Sequence, residues 1–300
     1  MLKRVDLAGA YDLHVHTAPS VFPRYLDDVE AATLARDAGF YGILIKSHLE
    51  CTVSRAYHTS RAVPGIHVYG GVVLNHSVGG ISPTSVAVAV QQGARLVWMP
   101  TFDSAEHQRV FGSMRSYGLR TMSNQSDLHE LTPITVLDGH GELIDVARQV
   151  VQVVGEHDAC ICTSHLSRTE IYAVVQYARS IGTRVLITHP FYLVPNLTKD
   201  DLKELTDLGA IAELTAVEVL ELPATTRASL HAIKDAIDLI GAEKFMISSD
   251  AGQPFNPAPV EAIRMYVESL YELGVSVADL HTMLVDTPAR VLSSSERSRK

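Results

Sequence analysis

Two histidines near the N-terminus are the first residues whose types and spacing could support chemistry. His14 and His16 flank one apolar residue in Tyr11-Asp12-Leu13-His14-Val15-His16-Thr17, at the end of a predicted short buried strand. Side chains alternate across a strand, so both imidazoles are expected on one face, with Leu13 and Val15 on the other. Neutral imidazole is a common ligand for zinc and related divalent metals. The motif is short, so a metal site also requires partners elsewhere in the chain.

Residues of metal-binding and acid–base type also follow apolar runs later in the chain. They are Lys46, His48, His165, His189 and Asp250. Taken with the first pair, four imidazoles and a carboxylate suit Zn²⁺, with Mn²⁺, Fe²⁺ or Ni²⁺ as competitors. A metal with an open position lowers the pKa of bound water to about 7, which gives hydroxide at neutral pH. Asp250 is predicted to bind this metal and to carry the proton from the water to a leaving group, with a helix N-cap as its alternative role.

Eight predicted strand–helix units position these residues. Continuous apolar runs, such as residues 40–45 and 159–163, alternate with segments of helical pattern, such as residues 169–181. Runs of this kind are typical of strands buried on both faces, in parallel sheets covered by helices. No Gly-x-Gly-x-x-Gly follows the first strand, so the main signature of a dinucleotide-binding fold is missing. We therefore predict an α/β protein, a (β/α)8 TIM barrel forming a single domain over residues 1–300.

The regular alternation pauses between residues 101 and 141, where Gly, Ser, Asn and His are frequent. A stretch of this length inside a compact domain is usually functional, so we predict an insertion after strand 4 that covers the pocket as a lid. His107, His129 and His140 lie in this insertion and are expected at the surface rather than among the ligands. Residues 257–300 are predicted to form C-terminal helices.

The predicted barrel brings the candidate residues together, because its C-terminal strand ends and the loops after them converge at one face. Three further residues are candidates for substrate binding there. His76 follows strand three, and Glu213, at the end of strand seven, could bind a substrate ammonium or support a ligand. Arg168 could clamp a substrate carboxylate with two hydrogen bonds, with a helix-surface role as its alternative. His48 is either a further ligand or a hydrogen-bonding partner of the substrate.

The overall composition narrows the classes of partner. A net charge of −9 with no dense basic block argues against nucleic-acid binding. Three cysteines give no disulfide framework, which fits a reducing compartment. The N-terminal residues lack the apolar run of a signal peptide, and no apolar stretch approaches the roughly 20 residues that span a bilayer. We expect a cytoplasmic protein with a small-molecule substrate and no membrane contact, and a homo-oligomer stays open.

The chain resembles the amidohydrolase superfamily of metal-dependent hydrolases over nearly its whole length. The matching motifs are His14-Val15-His16 on strand one, His165 on strand five, His189 on strand six and Asp250 on strand eight. A weaker match is the tail Asp286-Thr287-Pro288-Ala289-Arg290-Val291-Leu292. The resemblance implies that the first pair binds a more buried metal and the later histidines a more exposed one, with Asp250 as ligand and general base. Because the chain starts directly at strand one, it is most similar to the compact, barrel-only branches.

The sequence departs from that superfamily at strand four. Members with two metals usually bridge them with a carboxylated lysine or a glutamate there, but this strand ends in Val97-Trp98-Met99-Pro100-Thr101. Lys46 could be carboxylated instead, if burial lowers its pKa enough for the free amine to react with carbon dioxide. Alternatively, Lys46 is a cation that pairs with Asp250 or polarises a substrate carbonyl. One or two metals per chain therefore stay open, with a slight preference for two.

The leading functional hypothesis is a metal-dependent hydrolase. Metal-bound hydroxide would cleave an amide, lactam, lactone or related C–N or C–O bond of a small molecule. One alternative is a mononuclear-metal decarboxylase of an aromatic or unsaturated carboxylic acid, which the missing strand-four bridge favours. A histidine-rich phosphoesterase is another, because His48 and His76 would add ligands. A metal-binding barrel without catalysis, acting as a sensor or scaffold, is the remaining alternative.

Overall fold

The computed structural model describes residues 5–117, 120–121, 131–220 and 228–292. The long sheet consists of β1 Tyr11–Val15, β2 Gly42–Ile45, β3 His67–Val73, β4 Leu96–Trp98, β7 Cys160–Cys162, β8 Arg184–Ile187, β9 Ile211–Thr215 and β10 Phe245–Ser248. Neighbouring strands pair in parallel in the order β1-β2-β3-β4-β7-β8-β9-β10. A short antiparallel hairpin, β5 Ser116–Tyr117 and β6 Arg120–Thr121, lies between β4 and β7 in the chain.

Helices connect the strands and cover the sheet. In the described residues they are α1 Asp28–Asp37, α2 Val53–Ala62, α3 Pro83–Gln91, α4 Ala105–Phe111, α5 Asp145–Glu156, α6 Arg168–Ser180, α7 Lys199–Asp207, α8 Val217–Leu220, α9 Leu230–Ile240, α10 Pro259–Glu272, α11 Val277–His281 and α12 Thr287–Leu292. Side chains next to the helix N-termini determine where several helices begin. At the start of α6, for example, Ser167 and Glu170 form a capping box. None of the helices in the described ranges is long and apolar enough to cross a membrane.

The barrel closes between its first and last strands. Just beyond β10, the Asp250 N–H donates to the carbonyl of His14 at 2.9 Å, and the His16 N–H donates to the carbonyl of Ala251 at 2.9 Å. The Ser249 N–H donates to Asp12 Oδ1 on β1, also at 2.9 Å. The predicted (β/α)8 barrel is therefore confirmed, and its seam runs through the residues that carry the candidate chemistry.

Two apolar layers hold the barrel together. An inner cluster, which includes Leu13, Leu44, Trp98 and Met246, fills the space enclosed by the strands. An outer and larger cluster packs the other face of the strands against the helices. Burial of these side chains is the main favourable contribution to folding. It also fixes which strand residues can reach the C-terminal end of the barrel.

Strand β1 is irregular where it carries the histidines. Its register against β2 shifts between Asp12 and Val15. Leu13 packs in the inner cluster and Val15 in the outer one, while the His14 ring lies inside the barrel, 6.0 Å from the Trp98 ring. The prediction that Leu13 and Val15 share a face is therefore wrong. The reason is local, because an irregularity of the bulge type re-aims the side chains that follow it.

The chain between β4 and β7 is longer than the other connections. It contains α4, the hairpin of β5 and β6, and then α5, which covers the barrel. This segment corresponds to the predicted insertion after strand 4, although His129 lies outside the described residues. His107 is fully buried and not at the surface as predicted. The N-terminal cap of α4 at Ser104 turns this helix inwards, where Ser104 Oγ donates to the carbonyl of His165 at 2.7 Å.

Candidate active site

A cavity of about 430 Å³ opens at the C-terminal end of the barrel. It is lined by His16, Phe22, Pro23, Arg24, Lys46, His48, Tyr117, His165, His189, Tyr192, Val217, Asp250, Gln253, Pro254 and Phe255. The strand-end residues form its floor, where Lys46 is 2% exposed, and the loops after β1 and β10 form its rim, where Phe255 is 41% exposed. An open-topped cavity of this size is typical of small-molecule sites.

His14, His16 and Asp250 converge at the floor of this cavity. Their nearest ligand-type atoms all lie within 4.8 Å of one another. His14 Nε2 is 3.0 Å and His16 Nε2 is 3.1 Å from Asp250 Oδ1. Asp250 adopts the left-handed region at φ +52, a conformation that costs energy for a residue other than glycine and often marks a functional site.

Hydrogen bonds behind the two histidines determine which ring nitrogen faces Asp250. His14 Nδ1 lies 3.2 Å from both carboxylate oxygens of Glu213, and His16 Nδ1 lies 3.1 Å from the backbone carbonyl of Lys46. Both acceptors require an N–H at Nδ1, so each neutral ring presents a lone pair at Nε2. This arrangement of a ligand histidine backed by a carboxylate or carbonyl is the usual one in metal sites.

The arrangement fits a divalent cation. Two imidazole lone pairs and a carboxylate oxygen approach one another at 3.0 and 3.1 Å, which is unfavourable unless a positive charge lies among them. Ligands bound to one ion at about 2.1 Å are themselves about 3.0–3.4 Å apart. Without an ion, burial lowers the pKa of His14, but the carboxylates of Asp250 and Glu213 outweigh this and raise it to about 9. A proton on His14 and a metal ion would therefore compete for the same position.

Lys46 lies beside this group but does not form the ion pair with Asp250 that was one predicted alternative. Its Nζ is 2.8 Å from His14 Nε2 and 5.1 Å from the centre of the Trp98 ring. Burial lowers the pKa of the Lys46 amine. A buried amine next to a potential metal ligand is therefore closer to its neutral form than an exposed lysine.

His165 and His189 form a second pair on the floor, with ring centres 5.1 Å apart. His189 has a positive φ of +30, and its buried Nδ1 has no hydrogen-bond partner in the described part of the chain. His165 Nδ1 lies 2.9 Å from His107 Nδ1, and His107 Nε2 lies 2.7 Å from the carbonyl of Ser116. His107 therefore supports His165, a role that its place in the insertion did not suggest.

His48 is anchored on the side away from the cavity. Its Nδ1 lies 2.9 Å from Thr101 Oγ1, which also accepts a hydrogen bond from Asn75 Nδ2 at 2.7 Å. Because the threonine hydroxyl already has a donor, its own proton can be given to His48 Nδ1. The remaining proton of the neutral ring is then at Nε2, which makes His48 a hydrogen-bond donor to a substrate.

Two of the predicted substrate-binding residues are not brought to the cavity. His76 Nε2 lies 2.8 Å from the carbonyl of Thr132. The Arg168 side chain is 61% exposed and donates to Asp201 Oδ1 at 2.7 Å. Glu213 does reach the site, where it binds His14 rather than lining the cavity. The positions of His76 and Arg168 depend on how the chain packs after its strand ends, which the position of the strand end alone does not determine.

Sequence reasoning missed the loop residues of the cavity wall. Phe22 and Arg24 follow the His-x-His strand by a few residues, and Tyr117 and Tyr192 lie in later loops. For Tyr117, the predicted insertion over the pocket was a signal, whereas the other three had only their proximity to strand ends. Aromatic rings are close to one another and to the histidines, as with Phe22 and Tyr117 at 5.9 Å and His165 and Tyr192 at 5.9 Å.

The fold and the converging side chains define a (β/α)8 barrel with a candidate metal centre at its C-terminal face. Within that class, the chain belongs to the family described as "Family of unknown function (DUF6282)", whose model matches residues 9–213, more than half of the chain. The sequence matches none of the curated proteins with which it was compared.

Solved structures with the same architecture cover almost the whole chain. An amidohydrolase from Pseudomonas aeruginosa is 14% identical, with a TM-score of 0.63 and coverage of 95% of this chain and 96% of that one. The probable dipeptidase PvdM from Pseudomonas aeruginosa is 13% identical, with a TM-score of 0.62 and coverage of 94% of both chains. The 2,6-dihydroxybenzoate decarboxylase from Rhizobium is 10% identical, with a TM-score of 0.55 and coverage of 95% and 98%. At these levels of identity, the similarities show that the chain shares the barrel fold of an amidohydrolase, a probable dipeptidase and a decarboxylase.

Proposed function

We propose that this protein is a metal-dependent hydrolase that cleaves an amide, lactam, lactone or related C–N or C–O bond of a small molecule. The observation that carries the proposal is the approach of His14 Nε2 and His16 Nε2 to Asp250 Oδ1, at 3.0 and 3.1 Å. Two imidazole nitrogens and a carboxylate oxygen at that spacing suit a divalent cation, which would displace the proton that His14 otherwise holds. The cavity above them supplies room for a substrate.

His14, His16 and Asp250 would hold the first ion, and His165 and His189 a second one. We propose Zn²⁺, with Mn²⁺, Fe²⁺ and Ni²⁺ as the alternatives, since all of them accept imidazole and carboxylate ligands. When bound, such an ion polarises a substrate carbonyl and lowers the pKa of water. Beside the ion, the Lys46 nitrogen could not stay an ammonium cation, and it would be either a neutral free amine or part of an anionic carbamate. A carbamate ¹³C resonance after incubation with [¹³C]bicarbonate, absent from Lys46→Met, would identify the second form.

The side chains on the floor can perform the proton transfers. Burial raises the pKa of Asp250, but His14 and His16 outweigh it and keep that pKa well below its usual range, so Asp250 stays ionised. Asp250 Oδ2 has no hydrogen-bond partner among the described residues and is available to take a proton from water. Asp250 can then pass the proton to the leaving nitrogen or oxygen. His48 Nε2 can donate a hydrogen bond to the substrate oxygen.

A decarboxylase is the second candidate function. The supporting observation is that β4 ends at Trp98, a fully buried residue, so no carboxylated lysine or glutamate bridges two ions there. The histidine-rich phosphoesterase is less well supported, because it needed His76, which lies outside the cavity. A cytoplasmic location and a homo-oligomer stay predictions from the sequence.

Metal analysis joined to a substrate panel tests the proposal. The purified protein would be analysed for metal and then assayed, loaded with each candidate ion, against lactones, lactams, N-acyl amino acids and aromatic carboxylic acids. We expect about two equivalents of metal and hydrolysis that a chelator abolishes. About one equivalent together with carbon dioxide release would favour the decarboxylase. A protein that binds no divalent metal in its folded state would overturn both candidates.

A further inference from the structure

Arg24 occupies the wall of the cavity, in the loop after β1. It is partly buried, and its guanidinium carbon lies 5.8 Å from the centre of the Phe22 ring. The same cavity is lined by His16 and Asp250 on the floor. One small molecule in the cavity can therefore contact both the guanidinium and the candidate metal centre.

Within the described residues, Arg24 contacts the Phe22 ring but has no polar partner. Its Nε is buried without a hydrogen bond, and its guanidinium makes no ion pair or hydrogen bond there. Arg55, near the same loop, donates to Asp28 Oδ1 at 2.7 Å and to Glu50 Oε1 at 2.8 Å. Keeping a cation unpaired in a partly buried position costs free energy. Burial lowers the pKa of Arg24, but only to about 10, so the group is charged at neutral pH.

We propose that Arg24 binds a carboxylate group of the substrate. That the bound acid is a substrate rests on the proposed function, whereas the binding of an acid at Arg24 does not. The planar guanidinium forms two parallel hydrogen bonds with a carboxylate. Lys46, which also lines the cavity, contacts His14 on the floor, and burial lowers the pKa of its amine. A single fork on the wall matches a monoanion better than a phosphate dianion, which usually collects several donors. Phe22, Tyr117 and Tyr192 line the same space, so the acid would carry an apolar or aromatic body.

The binding test uses phenylacetate and phenylacetamide, which share shape and size but differ in charge. Their dissociation constants would be measured by calorimetry or ligand-observed NMR on the full-length protein, both as purified and after chelation. Chelation removes any metal that could bind the acid itself. We expect phenylacetate to bind at least about tenfold more tightly than phenylacetamide in both preparations. Phenylphosphonate, as a third probe, should bind no better than phenylacetate.

Three variants locate the anion site. Arg24→Gln should bind the acid and the amide equally, and Arg24→Lys should keep part of the preference because it keeps the charge without the fork. Arg109→Gln removes one charge from an arginine that is 69% exposed on α4, and should retain the wild-type preference. An unchanged preference in Arg24→Gln would overturn the proposal, as would wild-type protein that does not prefer the acid. Preferential binding of phenylphosphonate would replace the carboxylate with a phosphate-type ligand.

Turnover separates this inference from the proposed function. If the substrate panel yields activity, Arg24→Gln should raise KM for substrates with a free carboxylate and leave their methyl esters unaffected, with a smaller change in kcat. Selective acid binding without any metal-dependent hydrolysis would leave the Arg24 site standing and remove the hydrolase. Metal-dependent hydrolysis that does not distinguish acids from esters would leave the hydrolase standing and remove the Arg24 site.

Discussion

The Nδ1 atoms of His107 and His165 lie 2.9 Å apart, and on the other side of the His107 ring its Nε2 lies 2.7 Å from the carbonyl oxygen of Ser116. The carbonyl can only accept, so His107 carries its proton at Nε2. Burial lowers the pKa of His107 to about 4, which keeps its Nδ1 free to accept from His165. His165 then holds its proton at Nδ1 and presents a lone pair at Nε2. The insertion thus fixes the tautomer of a candidate metal ligand.

Replacing His107 by Phe should release this tautomer without removing the ligand itself. We expect a loss of about 10–100-fold in affinity for metal at the His165 position. Histidine ¹⁵N–¹H correlation spectra should show His165 protonated at Nδ1 in the wild type and as a tautomer mixture in the variant. His140→Gln, at an exposed position of the same insertion, is the control and should match the wild type. An unaltered His165 tautomer in His107→Phe would contradict this role.

Glu213 should matter for metal binding although it does not line the cavity. Both of its oxygens lie 3.2 Å from His14 Nδ1. Glu213→Gln keeps an acceptor but loses the charge, so we expect about a tenfold loss of metal affinity, and a larger loss in Glu213→Leu. Competition with a chromophoric chelator measures both. The control Glu261→Gln changes a glutamate that is 59% exposed on α10. Wild-type affinity in Glu213→Leu would show that His14 needs no support.

Asp250→Asn tests the assignment of the general base. The amide keeps the shape of the side chain but cannot accept a proton, so we expect kcat to fall by about 100-fold or more on any substrate that the panel reveals. Metal content, measured on the same sample, separates lost chemistry from lost metal. Asp207→Asn changes a carboxylate that is 62% exposed on α7 and should leave kcat unchanged. Full turnover by metal-loaded Asp250→Asn would exclude the base role.

Glu218 predicts a pH dependence of stability. It accepts hydrogen bonds from the N–H groups of Thr215 and Phe191, at 2.9 and 3.0 Å, yet burial raises its pKa from 4.5 to about 8, with Glu213 and Asp250 adding repulsion. Between those values the folded state holds a proton that the unfolded chain has lost. The contribution of Glu218 to the free energy of unfolding should therefore fall as the pH rises from about 5 to 8, by about 1.4 kcal/mol per pH unit.

Urea unfolding at several pH values between 5 and 8 measures this contribution. Relative to the wild type, Glu218→Gln should lose this falling contribution, so the difference in unfolding free energy between variant and wild type should change by up to about 1.4 kcal/mol per pH unit. The exposed control Glu261→Gln should keep the wild-type slope. Equal slopes in Glu218→Gln and wild type would mean that Glu218 is ionised in the folded protein across this range.

The barrel and the floor of the site could be predicted because their signals are local. Apolar runs such as Gly42–Ile45 predict buried strands. Lys46 and His48 follow that run two residues apart, a spacing that places both side chains on one face of a regular strand. Closure of the barrel then brings His165, His189 and Asp250 to the same end without any further information. The side of β1 occupied by Leu13 could not be predicted, because a register irregularity leaves no distinct pattern in the sequence.

The supporting residues could not be predicted, because their positions depend on contacts between distant segments. His107 reaches His165 only after α4 has packed inwards, and the sequence separation between the two is 58 residues. Arg24 is recognisable because its guanidinium has no polar partner in the described part of the chain, which is a property of the folded loop. For Lys46, the sequence offered Asp250 as a partner, and the structure supplies His14 and the Trp98 ring instead.

The seam of the barrel links the stability of the whole chain to occupancy of the site. Asp250 N–H donates to the His14 carbonyl, so the strands that meet at the floor are the first and the last of the sheet, 236 residues apart. An ion bound by the side chains of His14 and Asp250 would link the first and last strands and would favour the closed barrel by mass action. A chain interrupted before β10 would lack both Asp250 and the strand that closes the barrel against β1.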